Sequence, residues 1–306
     1  MGDLATWVRA AGARLAEAGV ASPGVDAELL AAHVLGLGRG ELTAAMLRGT
    51  DLAAEQAAEA DLLLARRCER EPLQHLTGRA PFRRIELLVG PGVFVPRPET
   101  EVLVEAAVAE LLAAHDGPAL VVDLCTGSAA VALAVADEAP QAQVVALERE
   151  PAALVWARRN VAAHPAGGGV EVRAGDVTDA TEPDGVLADL VGRVDVVVAN
   201  PPYIPDGAVP REVEVARHDP AAALFGGGDD GLVVPRAVVA TAAALLRPGG
   251  LLLMEHGEAQ AAPARALLDE ERGDRRHGEG PTSGWCEVST LTDLTGRDRV
   301  LRGRRS

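Results

Sequence analysis

From residue 98 onward the apolar residues of this chain alternate between two periods, and that alternation limits what the chain can fold into. Short, nearly unbroken apolar runs at ALVVDL (119–124), QVVAL (143–147), VEVRA (170–174), VDVVVA (194–199) and LLLMEH (251–256) have the length of strands. Between them lie helix-length segments at 98–115, 128–138, 151–163, 232–246 and 258–271. A strand apolar on both sides must be covered on both faces, so the expected fold class is α/β, a mostly parallel sheet with helices on each side. Two further strands, at 285–290 and 297–302, are separated by a turn and are expected to close the sheet as an antiparallel C-terminal hairpin. The glycine-rich run GDRRHGEGPTSG (273–284) reads as a mobile loop.

The first third has a different grammar. Residues 3–70 carry alanine and leucine at three- and four-residue spacing, with Gly19, Gly36 and Gly49 as stops and Ser22 and Asp51 as expected N-caps. They predict a small helical bundle. Residues 73–97 change again, to short apolar runs punctuated by Gly78, Gly90 and Gly92, and predict a β-hairpin between two domains. The expected division is 1–72 helical, 73–97 linking hairpin and 98–306 sheet domain. A chain of 306 residues, 48 % hydrophobic, can bury a core in each domain.

Composition then removes whole classes of chemistry. There is no lysine; all 29 basic residues are arginine. A Walker A lysine and a Schiff-base lysine are thereby excluded. Residues 1–97 hold 12 acids and 11 arginines, which leaves 33 acids against 18 arginines, a charge of −15, in residues 98–306. Such a surface repels a phosphate backbone. Three widely spaced cysteines, Cys68, Cys125 and Cys286, fit a reduced cytoplasmic protein. The seven histidines show no metal-ligand spacing, and no metal is expected. No apolar run has a membrane-spanning length and no signal segment is evident, so no membrane partner is expected.

Two stretches carry chemistry. VVDLCTGSAAVALAVA places the turn Cys125, Thr126, Gly127, Ser128, Ala129 between the first sheet strand and a helix, where an open α/β sheet binds nucleotide-like ligands. The second strand ends in Glu148, whose carboxylate can accept both hydroxyls of a ribose. An ordinary tight turn would read the same way, and NAD-binding proteins share the carboxylate. The pair therefore indicates only an adenosine-containing cofactor. Asp176, after the third strand, is placed either to receive an adenine amino group or to cap a helix.

The second stretch is VDVVVANPPYIPDG (194–207). Pro201 and Pro202 have no N–H and fix φ near −65°, so the chain leaves the strand stiffly and its carbonyls lose ladder partners. The Asn200 side-chain oxygen and the Pro201 carbonyl then form two neighbouring acceptors, which match the two N–H donors of an NH₂ group on a planar carbon. Tyr203, the only tyrosine, supplies a flat face for that group. Such a nitrogen has a delocalised lone pair. Holding its hydrogens aims the lone pair at an electrophile, and positioning supplies the rate without a strong base. Asn200, Pro201 and Tyr203 are the expected catalytic residues.

Asn-Pro-Pro-Tyr after an apolar strand resembles methyltransferases that act on planar nitrogens. With EPLQHLTGRAPFRRIELLVGPGVFVPRPETEVLVE (71–105), WARRN (156–160), LFGGGDDGL (224–232), LRPGGLLLMEHG (246–257) and DLTGRDRVLRGR (293–304), the chain looks like the HemK family across nearly its whole length. These are N5-glutamine methyltransferases of the Gly-Gly-Gln motif of peptide chain release factors. The resemblance implies a Rossmann-like class I methyltransferase sheet and S-adenosyl-L-methionine as cofactor. It places that cofactor on the 125–129 turn, Glu148, Asp176, Val177 and Asn200. It implies that Asn200, Pro201, Pro202 and Tyr203 grip the glutamine amide, that Arg97 and Glu99 wall the site, and that the helical domain recognises the release factor. A cytoplasmic monomer with no direct nucleic-acid partner is expected.

The chain departs from the family pattern at Cys125 and Ala129, where glycines are usual. Their Cβ atoms are expected to weaken cofactor binding without abolishing it, provided φ stays negative there. Val177 stands where some relatives carry an aromatic residue beside adenine. Competing readings are glutamine methylation of a ribosomal protein, adenine-N6 methylation of nucleic acid, a non-catalytic binding module, and an NAD oxidoreductase. The last gives Asn-Pro-Pro-Tyr no role.

Overall fold

The computed structural model describes residues 3–114, 117–273 and 284–306. They divide into two compact units, one of Met1–Arg79 with Pro210–His218, the other of Ala80–Val209 with Asp219–Ser306.

The first unit is built on helices Leu4–Glu17, Pro23–Leu35, Arg39–Leu47 and Ala54–Cys68, whose Leu4, Leu15, Ala31, Leu42 and Leu64 form one core. Gly36 ends the second helix in the left-handed conformation, as its position suggests. Ser22 stands at that helix's N-cap without a side-chain cap bond. Asp51 does not cap: the fourth helix starts from Ala53, and Asp51 bridges backbone to Asp3 instead. The capping carboxylate is Asp3, which accepts from the Thr6 amide at 3.0 Å. A buried ion-pair network crosses this unit. Arg67 Nε donates to Asp26 at 2.8 Å, and Arg67 and Arg70 both bind Glu214 of the short helix Val213–His218. The expected hairpin is shorter than 73–97. Leu73–Thr77 is a helical turn, because His75 and Leu76 N–H groups reach back to the Pro72 carbonyl. Only β1 (Arg79–Phe82) and β2 (Ile85–Leu88) pair.

The second unit holds β3 (Ala119–Leu124), β4 (Ala142–Glu148), β5 (Val170–Ala174), β6 (Val194–Ala199), β7 (Leu246–Glu255), β8 (Trp285–Thr292) and β9 (Asp298–Arg305), in the order β5-β4-β3-β6-β7-β9-β8. The first five run parallel, and β9 is antiparallel to β7 and to β8. The strands bear out the expected α/β sheet, with β7 beginning five residues early because Leu246 already pairs with Val194. Alternation sorts the strands cleanly. Val121, Val144, Ala146, Val196 and Val198 join helices Glu101–Ala114, Ala130–Glu138 and Pro151–Ala163 on one face. Val122, Val145, Val197 and Leu252 join Val233–Leu245 and Ala261–Gly273 on the other. Asp195, the one charge among the valines of β6, accepts from the Leu120 amide at 2.7 Å and from Arg247 at 2.6 Å. The expected loop 273–284 lies, apart from its two ends, outside the described residues.

The strand order reverses beside β3, whose neighbours are β4 and β6. The crevice at the carboxyl ends of β3 and β6 is therefore the ligand position of such a sheet. The 125–129 turn leaves β3 there, and Asn200 leaves β6 there.

Candidate active site

The turn after β3 is built around two carboxylates. Asp123, 1 % exposed, accepts from the Thr126 hydroxyl at 2.5 Å and the Ala132 amide at 3.2 Å, which ties the turn to the first residues of the helix behind it. Burial pushes its carboxyl up to about 7, against those two hydrogen bonds. Glu148 reaches across from β4. One of its oxygens accepts from the Gly127 amide at 2.8 Å, the other from the Arg149 and Glu150 amides at 2.9 and 2.8 Å. Burial pushes it upward while the three amides hold it down. The backbone expectation at the flanking residues fails. Cys125 and Ala129 sit at φ +61° and +65°, the left-handed region that glycine adopts without strain. The turn keeps the geometry that glycines would give it, with two strained residues as the consequence. At Gly127, φ +59°, a Cβ would meet open space.

Asp176 caps no helix, because the chain after it makes a turn, and it is that turn which it caps. Its Oδ1 accepts from the Thr178 amide and hydroxyl, both at 2.9 Å, and its Oδ2 binds Arg149 at 3.2 Å. Against the cost of burial, Thr178 and Arg149 hold its carboxyl below the usual range. Val177 is buried in the core with its carbonyl taken by the Thr241 hydroxyl at 2.6 Å. Asn160, the last letter of WARRN, explains that motif. It binds both backbone groups of Leu88 in β2 and donates to the Ser128 carbonyl at 2.9 Å, so hairpin and turn share one buried amide.

Asn200 donates Nδ2–H to the Thr100 hydroxyl at 3.1 Å. Its Oδ1 and the Pro201 carbonyl have no hydrogen-bond partner among the described residues. The Tyr203 hydroxyl donates to Glu255 at 3.2 Å. Burial, then the charge of Glu255, pushes the phenol well above its ordinary value, so it stays neutral. The backbone of the motif is held from the other side. Gln260 donates to the Tyr203 carbonyl at 2.9 Å and the Asp230 carbonyl at 2.8 Å. Ile204 exchanges backbone bonds with Leu224 and Gly226. Two of the glycines of LFGGGDDGL, Gly226 and Gly231, are required by this contact. A Cβ on Gly226 would lie 2.6 Å from the Pro202 carbonyl oxygen, and one on Gly231 2.2 Å from that of Tyr203. Two motifs that are separate in sequence thus form one braced strand exit. Arg97 binds Asp219 at 2.6 Å and stacks on Phe94, while Glu99 is half-buried and close enough to Tyr203 and Glu255 to act on both electrostatically.

Sequence reasoning missed Thr100, Asp123, Asn160, Glu255 and Gln260. Two carried a usable signal: Thr100 completes VPRPET, and Glu255 is a charge ending an apolar strand on the ligand side of the sheet. Among the described residues, no helix is long and apolar enough to cross a membrane.

Residues 6–78 match the model of the PrmC N-terminal domain and residues 86–234 that of the methyltransferase small domain. The release factor glutamine methyltransferase of Mycolicibacterium smegmatis is 48 % identical over 305 residues, spanning 100 % of this chain and 99 % of that one. The protein of the same name from Streptomyces coelicolor is 44 % identical, with coverage of 100 % and 99 %. That from Deinococcus radiodurans is 40 % identical, with coverage of 96 % and 95 %. With matches of this extent, and with the sheet and the braced Asn-Pro-Pro-Tyr exit already in place, the chain belongs to the release factor glutamine methyltransferase family.

Proposed function

We propose that this chain transfers a methyl group from S-adenosyl-L-methionine to the side-chain amide nitrogen of the glutamine in the Gly-Gly-Gln motif of peptide chain release factors. The observation that carries the reading is the Asn200 amide. Its NH₂ is engaged by Thr100, and neither its Oδ1 nor the carbonyl of the next residue, Pro201, has a hydrogen-bond partner among the described residues. A primary amide offers two N–H donors to two such acceptors, and the ring packs against its plane. With both hydrogens held, the nitrogen lone pair is directed out of the amide plane.

The residues present fit the cofactor. Gly127 opens onto free space, the Glu148 carboxylate is buried and fixed by three amides, and both lie at the strand-order reversal that also holds Asn200. The turn Cys125–Ala129 would hold the methionine part, Glu148 the ribose, and Asp176 and Val177 the adenine end. Bound there, S-adenosyl-L-methionine supplies a methyl on a positively charged sulfur, open to a nitrogen lone pair. The chain's own contribution is to orient the amide, exclude water around Tyr203 and Glu255, and let the nitrogen's proton leave without a strong base. Residues 1–72 would recognise the release factor, 73–97 link the two parts and 98–306 carry the transfer, in a cytoplasmic monomer.

The test uses the full chain, cofactor labelled in its methyl, and a release factor carrying Gly-Gly-Gln or Gly-Gly-Ala. Label is expected on the first and not on the second. Equal labelling of both would sink the glutamine assignment, and labelling of duplex DNA or of RNA instead would favour adenine as acceptor.

A further inference from the structure

One short segment, at and just beyond the end of β7, meets Tyr203 in three places. Gln260 donates to the Tyr203 carbonyl at 2.9 Å, and its own side-chain oxygen accepts from the Gly257 amide at 2.9 Å. A Cβ on Gly257 would stand 3.6 Å from Tyr203 Cδ2, so bare backbone runs alongside the ring edge. Glu255 Oε1 accepts from the Tyr203 hydroxyl at 3.2 Å. Residues 255–260 therefore hold the tyrosine at its carbonyl, along its ring and at its tip. Ala199 pairs with Met254 in parallel register, which sets Glu255 at the level of Asn200.

The contact at the tip is not one that folding favours. Glu255 is 2 % exposed, and its Oε2 has no hydrogen-bond partner among the described residues. The side chain is thus taken out of water for the single bond to Tyr203. An apolar side chain of the same length would cost the fold less. What the bond supplies is direction. The phenol oxygen lies on the long axis of the ring, and Gln260 already holds the backbone end, so a fixed partner for the hydroxyl fixes that axis. The hydroxyl hydrogen prefers the ring plane, because the oxygen lone pair conjugates with the ring. The same partner therefore also resists rotation about the axis.

We propose that Glu255 is a positioning residue: through the Tyr203 hydroxyl it aims the ring face that packs against the plane of the substrate amide. The inference rests on the reading of Tyr203 as that face. The role needs an acceptor oxygen and not a charge, because a carboxyl presents one with or without its proton. Glutamine in its place keeps such an oxygen. Methionine, of similar length, does not.

The experiment compares Glu255→Gln and Glu255→Met in the full chain, each with Tyr203 intact and with Tyr203→Phe. Glu255→Met should lower kcat/KM for the Gly-Gly-Gln release factor roughly 10- to 100-fold, while its Tm stays level or rises. Glu255→Gln, which keeps the acceptor, should lose no more than about 3-fold. In the Tyr203→Phe chain there is no hydroxyl to direct, so Glu255→Met should cost less than about 2-fold further. Tyr203 is the only tyrosine, so a chain labelled with ¹³Cζ-tyrosine gives one phenol resonance. That resonance should move in Glu255→Met and keep its place in Glu255→Gln. Full activity in Glu255→Met, a loss there that comes with a fallen Tm, or an equal loss with and without the Tyr203 hydroxyl overturns the proposal. So does a Glu255→Gln chain as impaired as Glu255→Met. The resonance is read without substrate. If it moves in Glu255→Met while the wild-type chain transfers no methyl, the proposed function fails and the hold of Glu255 on the ring stands. If methyl is transferred and the resonance does not move, only the positioning role fails.

Discussion

At Cys125 and Ala129 the chain places L-residues where the turn demands left-handed backbone. A left-handed non-glycine residue is strained by about 1–2 kcal/mol, whereas glycine loses about 0.5–1 kcal/mol more through the entropy of its unfolded chain. Strain outweighs entropy here, so Cys125→Gly and Ala129→Gly should each stabilise the fold, raising Tm by about 1–3 °C in thermal unfolding. A lower Tm in both would mean that packing of the sulfur and the methyl outweighs the strain. The sequence showed the departure from glycine but not its cost, because the cost depends on φ. That angle is set by the amide Gly127 gives to Glu148 and by Thr126 bonding to Asp123. The same limit hid Asn160 and Gln260. Each is an unremarkable polar residue until the fold brings it against the Ser128 or the Tyr203 carbonyl.

Among the elements, the strands were legible and the contacts that brace their exits were not. Buried parallel strands announce themselves as valine runs, since both faces are apolar, and β3, β5 and β6 lie where their runs predict. The exit from β6 is instead a contact between two segments. Gly226 lies against the Pro202 and Gly231 carbonyls with no room for a Cβ, which would sit 2.0 Å from the Gly231 oxygen. Gly226→Ala should therefore shift the Asn-Pro-Pro-Tyr backbone by a sizeable fraction of an ångström. A roughly 100-fold loss of methyl transfer is expected, with far-UV circular dichroism unchanged. Full activity in that variant would show that the brace is dispensable. The shortened hairpin and the uncapping Asp51 are smaller failures of the same kind, where local hydrogen bonds chose differently from residue preference.

For the whole molecule, the first compact unit is not one run of sequence. It takes in Pro210–His218, and Glu214 there closes the pairs to Arg67 and Arg70 at 3.0 and 2.7 Å. Against the cost of burial, hydrogen bonds from Arg70 and Arg67 hold its carboxyl down to about 2. A group held low contributes stability above its unfolded range near 4.5 and loses it as pH falls toward 2. Removing Glu214 leaves the nearly buried Arg67 with one carboxylate rather than two. Glu214→Gln should cost the unit about 1–2 kcal/mol. Hydrogen exchange in helix Ala54–Cys68 is then expected to quicken about 5- to 30-fold at neutral pH, with the difference narrowing as the acid limit is approached. Unchanged exchange would show that this pairing is screened out.

By itself the sequence determined what depends on short-range pattern. Those features are the helical first third, the alternation that forces a covered parallel sheet, the absence of any lysine chemistry, and the unusual strand exit at Asn200. Each follows from side-chain period, composition or the missing N–H of proline, and none needs distant partners. The tertiary structure alone decided which way the Asn200 amide points, why Gly226 and Gly231 must be glycine, and where a buried glutamate can act on the site. Those outcomes depend on contacts between segments that are separate in sequence, from Gly226 against Pro202 to Asn200 against Thr100, which exist only once the fold has brought those segments together.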